Sequence, residues 1–153
     1  MKLSTRGRYG LKAMVDLAVN YGGGTMAINA LAAQQGISDA YLEQLIAALR
    51  KAELVISVRG AQGGYKLSRP PQDINVGDVL RALEGSTAML DCVGDVRGDC
   101  SNMCACSARP LWLKLQNRID EVLSATTLHD MAEDYKTQLR HLQASSAGTP
   151  AKS

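Results

Sequence analysis

A chain of 153 residues and 16.3 kDa is long enough for one ordinary domain, or for a small domain carrying an arm. Its 46% hydrophobic and 21% charged residues exclude a disordered chain, and no run approaches the 18 apolar residues of a membrane span. The net charge of +2 conceals an asymmetry: residues 1–70 carry nine Lys and Arg against four Asp and Glu, net +5, and the remainder is net −3. A basic half points to a polyanionic partner. With no Phe and only 4% aromatics, the core must be built from Leu, Ile, Val, Ala and Met. The first eight residues lack the apolar stretch of a secretory signal, so a soluble, cytoplasmic protein is expected.

The first periodic stretch begins after Gly7, with Leu11, Met14, Val15 and Ala18 on one helical face, and Gly22-Gly23-Gly24 ends it. A second, shorter helix is predicted from about Ile28 to Gln35 and stopped by Gly36. Ser38 is a good N-cap for a third, and Ile37 and Leu42 sit where a hydrophobic staple needs them. Tyr41 stands where a capping box would need Glu or Gln, so that part of the signature is missing. Leu42, Leu45, Ile46 and Leu49 form the inner stripe; Tyr41, Glu43, Gln44, Ala47, Arg50 and Lys51 form the other face. Two short helices joined through a glycine turn have the spacing of a helix-turn-helix.

Leu54 to Arg59 is strand-like, Gly60-Ala61-Gln62-Gly63-Gly64 is a glycine-rich tip, and Tyr65-Lys66-Leu67 returns before Pro70-Pro71. A hairpin directly behind a helix-turn-helix is a wing. Asn75 can cap the next helix, with Val76, Val79, Leu80 and Leu83 inside and Gly85 at its end. Residues 86–106 show no period. Pro110 suits a first helical turn, and Leu111, Trp112, Leu113, Leu115, Ile119, Val122 and Leu123 are apolar on more than one stripe. Burying both stripes in so small a chain calls for another subunit. Thr127 and Asp130 can start a further short helix through about Leu142, and the small, polar residues 144–153 are expected to be a disordered tail.

DNA recognition requires cations for phosphates and polar side chains near a helix N-terminus that reach base edges. Tyr41, Glu43 and Gln44 lie in the first turns of the predicted recognition helix. Gln44 can bridge an adenine edge, and Glu43 can accept from a cytosine amine. Arg59 at the wing is placed for a minor groove or backbone, and Gly60 permits close approach.

All four cysteines fall in fifteen residues: Cys92, Cys100, Cys104 and Cys106, spaced C-x7-C-x3-C-x-C. In a chain without an export signal such a cluster binds metal or does redox work more often than it forms disulfides. The paired C-x2-C turns of a zinc knuckle are absent, and the order differs from both common ferredoxin spacings. An iron–sulfur cluster, zinc and a dithiol redox switch all remain open on spacing alone. Asp91, Asp95 and Asp99 add negative charge that disfavours reduction.

Four segments carry a specific resemblance: Met1 to Gly10, Ile37 to Leu45, Leu49 to Val55, and Val58 to Tyr65. It continues through Gly77 to Leu80, Pro110 to Trp112 and Thr126 to Leu128. Over about residues 1–135 the chain resembles the Rrf2 family of winged-helix bacterial transcription regulators. That family includes iron–sulfur regulators of the IscR kind and cysteine-metabolism repressors of the CymR kind. The resemblance implies a homodimer built on the helix from about Pro110 to Ser124. It also implies DNA contacts by Ser38, Tyr41, Glu43, Gln44, Arg59 and Gly60.

Cluster-bearing members hold a 2Fe-2S centre on three loop cysteines, which match Cys92, Cys100 and Cys106. Their fourth ligand is a histidine at the position of Arg109, and His129 and His141 lie well downstream. Cys104 is the candidate fourth ligand, with a remote ligand as the alternative because a C-x-C pair is geometrically tight. The CymR kind lacks the loop cysteines.

The expected protein is mainly α with a small β-hairpin wing: a winged helix-turn-helix DNA-binding region (1–84), a cysteine-rich cluster loop (85–109), a dimerisation helix and C-terminal helix (110–143) and a tail (144–153). Its expected function is sequence-specific transcriptional repression at a pseudo-palindromic operator, controlled by an iron–sulfur cluster. The alternatives are a cluster-free repressor of sulfur metabolism acting through a protein partner, or a dithiol switch. An enzyme is not expected, because no nucleophile–base pair or second cofactor motif accompanies the cysteines.

Overall fold

The computed structural model describes residues 3–93 and 106–148. Its elements in chain order are α1 (Thr5–Val19), α2 (Ile28–Gln35), α3 (Asp39–Lys51), β1 (Val55–Val58), β2 (Gly64–Leu67), α4 (Val76–Glu84), α5 (Arg109–Ala125) and α6 (Leu128–Ala147), with 3₁₀ turns at Pro71–Asp73 and Asp91–Val93. The expected architecture, helices with one antiparallel hairpin, is what forms. β1 and β2 pair in the register Val55–Leu67, Ile56–Lys66, Ser57–Tyr65 and Val58–Gly64.

Local signals account for most boundaries. Ser38 caps α3 by accepting from the Tyr41 N–H, and Asn75 caps α4 by accepting from that of Asp78. Gly36 ends α2 at φ 67°, in the left-handed conformation that glycine enters without strain. α1 starts earlier than its periodicity suggests, at Thr5 rather than after Gly7, because its cap is partly tertiary. Ser4 accepts from the Gly7 N–H, and Glu84, at the end of α4, accepts from the N–H groups of both Ser4 (3.1 Å) and Gly7 (3.0 Å). A carboxylate there also complements the positive end of the helix dipole. Val19 is the last residue of α1 and Asn20 caps it, just before the three glycines.

α6 departs most from expectation. It is 20 residues long, not short, and runs to Ala147, so Ala144 to Ala147 are helical rather than part of a disordered tail; residues 149–153 lie outside the described residues. Thr127 and Asp130 form a reciprocal capping box that starts it strongly, and Ser145 and Ser146 return their hydroxyls to backbone carbonyls of the preceding turns. Asp130 lies below the usual carboxylate range because it accepts the Thr127 N–H.

The core gathers Met14 from α1, Leu31 from α2, Leu42, Leu45, Ile46 and Leu49 from α3, Val55 and Leu67 from the hairpin, and Ile74 and Val79 from around α4. Leu128 and Ala132 of α6 belong to the same core. The bridge between Asn75 and Thr127 brings this about, through Val76 N–H to Thr126 O (2.9 Å) and Leu128 N–H to Ile74 O (2.9 Å). α6 therefore returns to pack on α1. A division of the chain at residue 110 separates segments that share one core.

Asp16 of α1 accepts a hydrogen bond from Gln35 of α2. Burial raises its carboxyl above the ordinary range, against the opposing pull of that hydrogen bond and of Lys12. A raised folded-state pKa favours the protonated form, so its stabilising contribution is complete below the unfolded value and is lost as pH rises through the folded one. Asp16→Asn is expected to melt higher than the parent at neutral pH and to lose that advantage in acid. A lower melting temperature at neutral pH would show that the Gln35 hydrogen bond and the Lys12 attraction together outweigh burial.

Candidate nucleic-acid interface and sulfur site

α3 buries Leu42, Leu45, Ile46 and Leu49 and turns Glu43, Gln44, Ala47, Arg50 and Lys51 to solvent, as its periodicity requires. Ser38 is exposed and its hydroxyl is engaged in the cap, where it fixes the angle at which α3 begins. Tyr41 is half-buried. Its ring meets Tyr9 of α1 edge-on at 6.4 Å between centroids, and Lys12 lies 5.3 Å from the Tyr9 centroid. Tyr41 therefore packs as well as facing outward, a double role hidden from the α3 sequence alone.

The step from α3 to the wing is fixed by Glu53. Its φ of 60° is the only positive value at a non-glycine among the described residues. The Glu53 N–H reaches Arg50 O and the Leu54 N–H reaches Leu49 O, the paired bonds that usually close a helix on glycine. Ser68 donates to Glu53 O at 2.6 Å and holds this conformation from the other side. Beyond β1, Arg59 and Gly60 are exposed at the wing tip, and Gly60 has φ 115°. Gly64 has φ 155°, and a Cβ there would lie 2.5 Å from Met26 O. The close approach is needed because Met26 and Tyr65 exchange both backbone hydrogen bonds. Thr25 donates to Gln62 O at 2.7 Å and ties the tip to the loop after α1. Arg50 and Lys51 line a groove with Val55, Ile56 and Ser57, where cations at the end of α3 adjoin the wing.

The cysteines divide between described and undescribed residues. Cys92 and Cys106 are free thiols, both half-buried; Cys100 and Cys104 lie outside the described residues. Among the described residues no three His, Cys, Asp or Glu gather into a metal cage. The chain approaching Cys92 is anchored by Gln116 of α5, a side chain only 6% exposed. Its Oε1 accepts from the Met89 N–H at 2.7 Å, and its Nε2 donates to Asp120 at 2.9 Å and to Thr87 O at 3.4 Å. The 3₁₀ turn bearing Cys92 packs against α5. Cys106 lies one turn before that helix, and its carbonyl accepts the Arg109 N–H at 3.3 Å. Gln116 was not singled out by sequence, because nothing local marks a glutamine on a mixed helix as an anchor 27 residues away.

A recognition helix in a helix-turn-helix, followed by a wing that its own backbone locks in place, defines a winged-helix DNA-binding regulator. The chain belongs to the Rrf2 family, described as iron-dependent transcriptional regulators, whose pattern it matches over residues 3–134. It is 41% identical over 132 residues to the transcriptional regulator CymR of Bacillus subtilis, covering 86% of this chain and 90% of that one. It is also 41% identical over 134 residues to the regulator IscR of Vibrio atlanticus, covering 88% of this chain and 76% of the relative. The solved structure of T. potens IscR superposes with a TM-score of 0.71 at 47% identity, covering 88% of each chain. That of B. subtilis CymR, described as the global cysteine regulator, gives 0.74 at 41% identity, covering 87% of this chain and 97% of that one. These relatives are transcription regulators and not enzymes. No helix among the described residues is long and apolar enough to cross a membrane.

Proposed function

We propose that this chain is a homodimeric repressor that binds a pseudo-palindromic operator and is controlled by an iron–sulfur centre, of the 2Fe-2S type, on Cys92, Cys100, Cys104 and Cys106. The observation that carries the reading is the placement of the cysteine segment. It leaves the DNA-binding head at Glu84, which caps α1, and rejoins the fold at Arg109, where α5 begins. Both borders are tied to structure, so a change within the segment is felt by α4 and α5 together. The donor set fits the centre: four sulfur ligands suit iron–sulfur chemistry, and Arg109 Nε, three residues after Cys106, is buried without a hydrogen-bond partner among the described residues. When bound, such a centre supplies one-electron redox chemistry.

α5 leaves Leu111 52% and Val122 64% exposed, which supports its role as the dimer helix. A shift between two reading heads by a few ångströms would matter, because half-sites are spaced by about one helical turn. Ser38 orients the recognition helix, Tyr41, Glu43 and Gln44 face the major groove, and Arg59 and Gly60 follow the adjoining groove or backbone.

Anaerobic purification with iron and sulfide analysis, beside selection of operators from random DNA, tests this reading. Brown protein that binds a discrete operator in a salt-dependent way is the expected result. A colourless, iron-free protein with the same DNA binding would establish the cluster-free reading, and protein without DNA retention would remove the regulator reading altogether. Arg59→Ala is expected to weaken operator binding by about 1–3 kcal/mol with the fold intact; unchanged affinity would remove Arg59 from the interface. Glu43→Ala is expected to broaden the sequences bound without loss of non-specific affinity, since a carboxylate near phosphates is unfavourable unless it meets a cytosine amine. A uniform loss across sequences would assign Glu43 to holding α3 instead.

A further inference from the structure

The structure assigns Arg109 a part in the sulfur site: its Nε–H donates to a sulfur of the anionic centre that Cys106 ligates, so that one side chain compensates charge where this chain has no histidine. The assignment rests on the iron–sulfur reading above. Arg109 Nε is the single buried side-chain nitrogen or oxygen without a hydrogen-bond partner among the described residues. A guanidinium is always ionised, and a buried donor on an ionised group is costly to leave unpaired. Its place in the fold narrows the acceptor. The Arg109 N–H closes a turn on Cys106 O at 3.3 Å, so Cys106 and Arg109 are held on one turn at the start of α5. Cys106 is itself half-buried and unbridged. The helix cap there is Ala108, which has no side-chain acceptor to offer.

Ligation by thiolates in place of a neutral imidazole makes a centre more negative and harder to reduce, whereas a cation and hydrogen bonds to its sulfurs act in the opposite sense. Arg109 thus offsets part of the charge that a fourth thiolate adds. It positions and tunes without ligating.

The experiment compares the parent with Arg109→Gln, Arg109→Lys and Arg109→Leu, each prepared anaerobically and reconstituted with iron and sulfide. Arg109→Gln is expected to retain iron and sulfide but to be harder to reduce. At the parent's midpoint potential its ratio of oxidised to reduced centre should rise about tenfold, equal to about 59 mV for a one-electron couple. Arg109→Lys keeps the charge but loses the planar Nε–H, and should fall between the two. The proteins stripped of metal give a second readout, since removing an unpaired buried donor should leave the melting temperature of Arg109→Leu equal to the parent's or above it.

Equal potentials in parent and Arg109→Gln would overturn the assignment while leaving the cluster reading intact. A metal-free Arg109→Leu that melts below the metal-free parent would also overturn it, by showing that the guanidinium already stabilises the fold without the centre. A parent that holds neither iron nor sulfide would overturn both readings.

Discussion

Cys92→Ala, Cys100→Ala and Cys106→Ala are each expected to abolish the visible chromophore of anaerobically prepared protein, while the metal-free forms keep the parent's melting temperature. Cysteine thiolates are the principal ligands of iron–sulfur centres, and a methyl group replaces none of their bonds. Cys92 and Cys106 are only half-buried, so truncation leaves no large cavity in the core. In the proposed site the two residues stand on separate supports, Cys92 on a turn packed on α5 and Cys106 on the turn that opens α5. Loss of either therefore removes one of the two ends and not a redundant donor. Cys104→Ala is expected to behave differently and leave a labile or spectrally altered centre. An unchanged spectrum in Cys104→Ala would place the fourth ligand elsewhere, on this chain or on a second copy of it. Retention of the chromophore in Cys92→Ala or Cys106→Ala would remove that residue from the site.

Leu128→Ala is expected to lower the unfolding free energy by about 2–5 kcal/mol, read as a fall in the urea midpoint at unchanged slope. Leu128 is fully buried, opens α6 and belongs to the core shared with α1 and α3. Its backbone N–H is fixed to Ile74 O at 2.9 Å, so the backbone is poorly placed to collapse into the space left by the lost side chain. Against a total stability of about 5–15 kcal/mol such a loss is large, and operator binding at elevated temperature should decline with it. A midpoint within experimental error of the parent would show that α6 contributes little to the head.

Much of the fold was legible in short-range chemistry. The bounds of α2 match those expected because Gly36 is a left-handed stop, and Asn75 and Ser38 start helices by hydrogen bonds that span three residues. The wing was readable from the β-branched run before its glycines, and Gly60 and Gly64 adopt backbone angles that justify them. The outward face of α3 followed from helical periodicity. Glu53 shows where such reading ends: it occupies a position that usually signals itself by glycine, and it is held there by Ser68, fifteen residues on.

The amino-acid sequence by itself determined the helix-turn-helix, the wing, the polar face of α3 and the cluster of cysteines, because each depends on residues within a few positions of one another. Only the tertiary structure decided that Glu84 caps α1 across 77 residues, that Gln116 grips the approach to Cys92, that Arg109 Nε is buried without a partner among the described residues, and that α6 lies in the same core as α1. The physical reason is the range of the forces. A cap or a turn is satisfied within its own segment. A buried polar atom or an apolar stripe is satisfied by whatever the folded chain brings against it, and neither its own residue type nor its spacing names that partner.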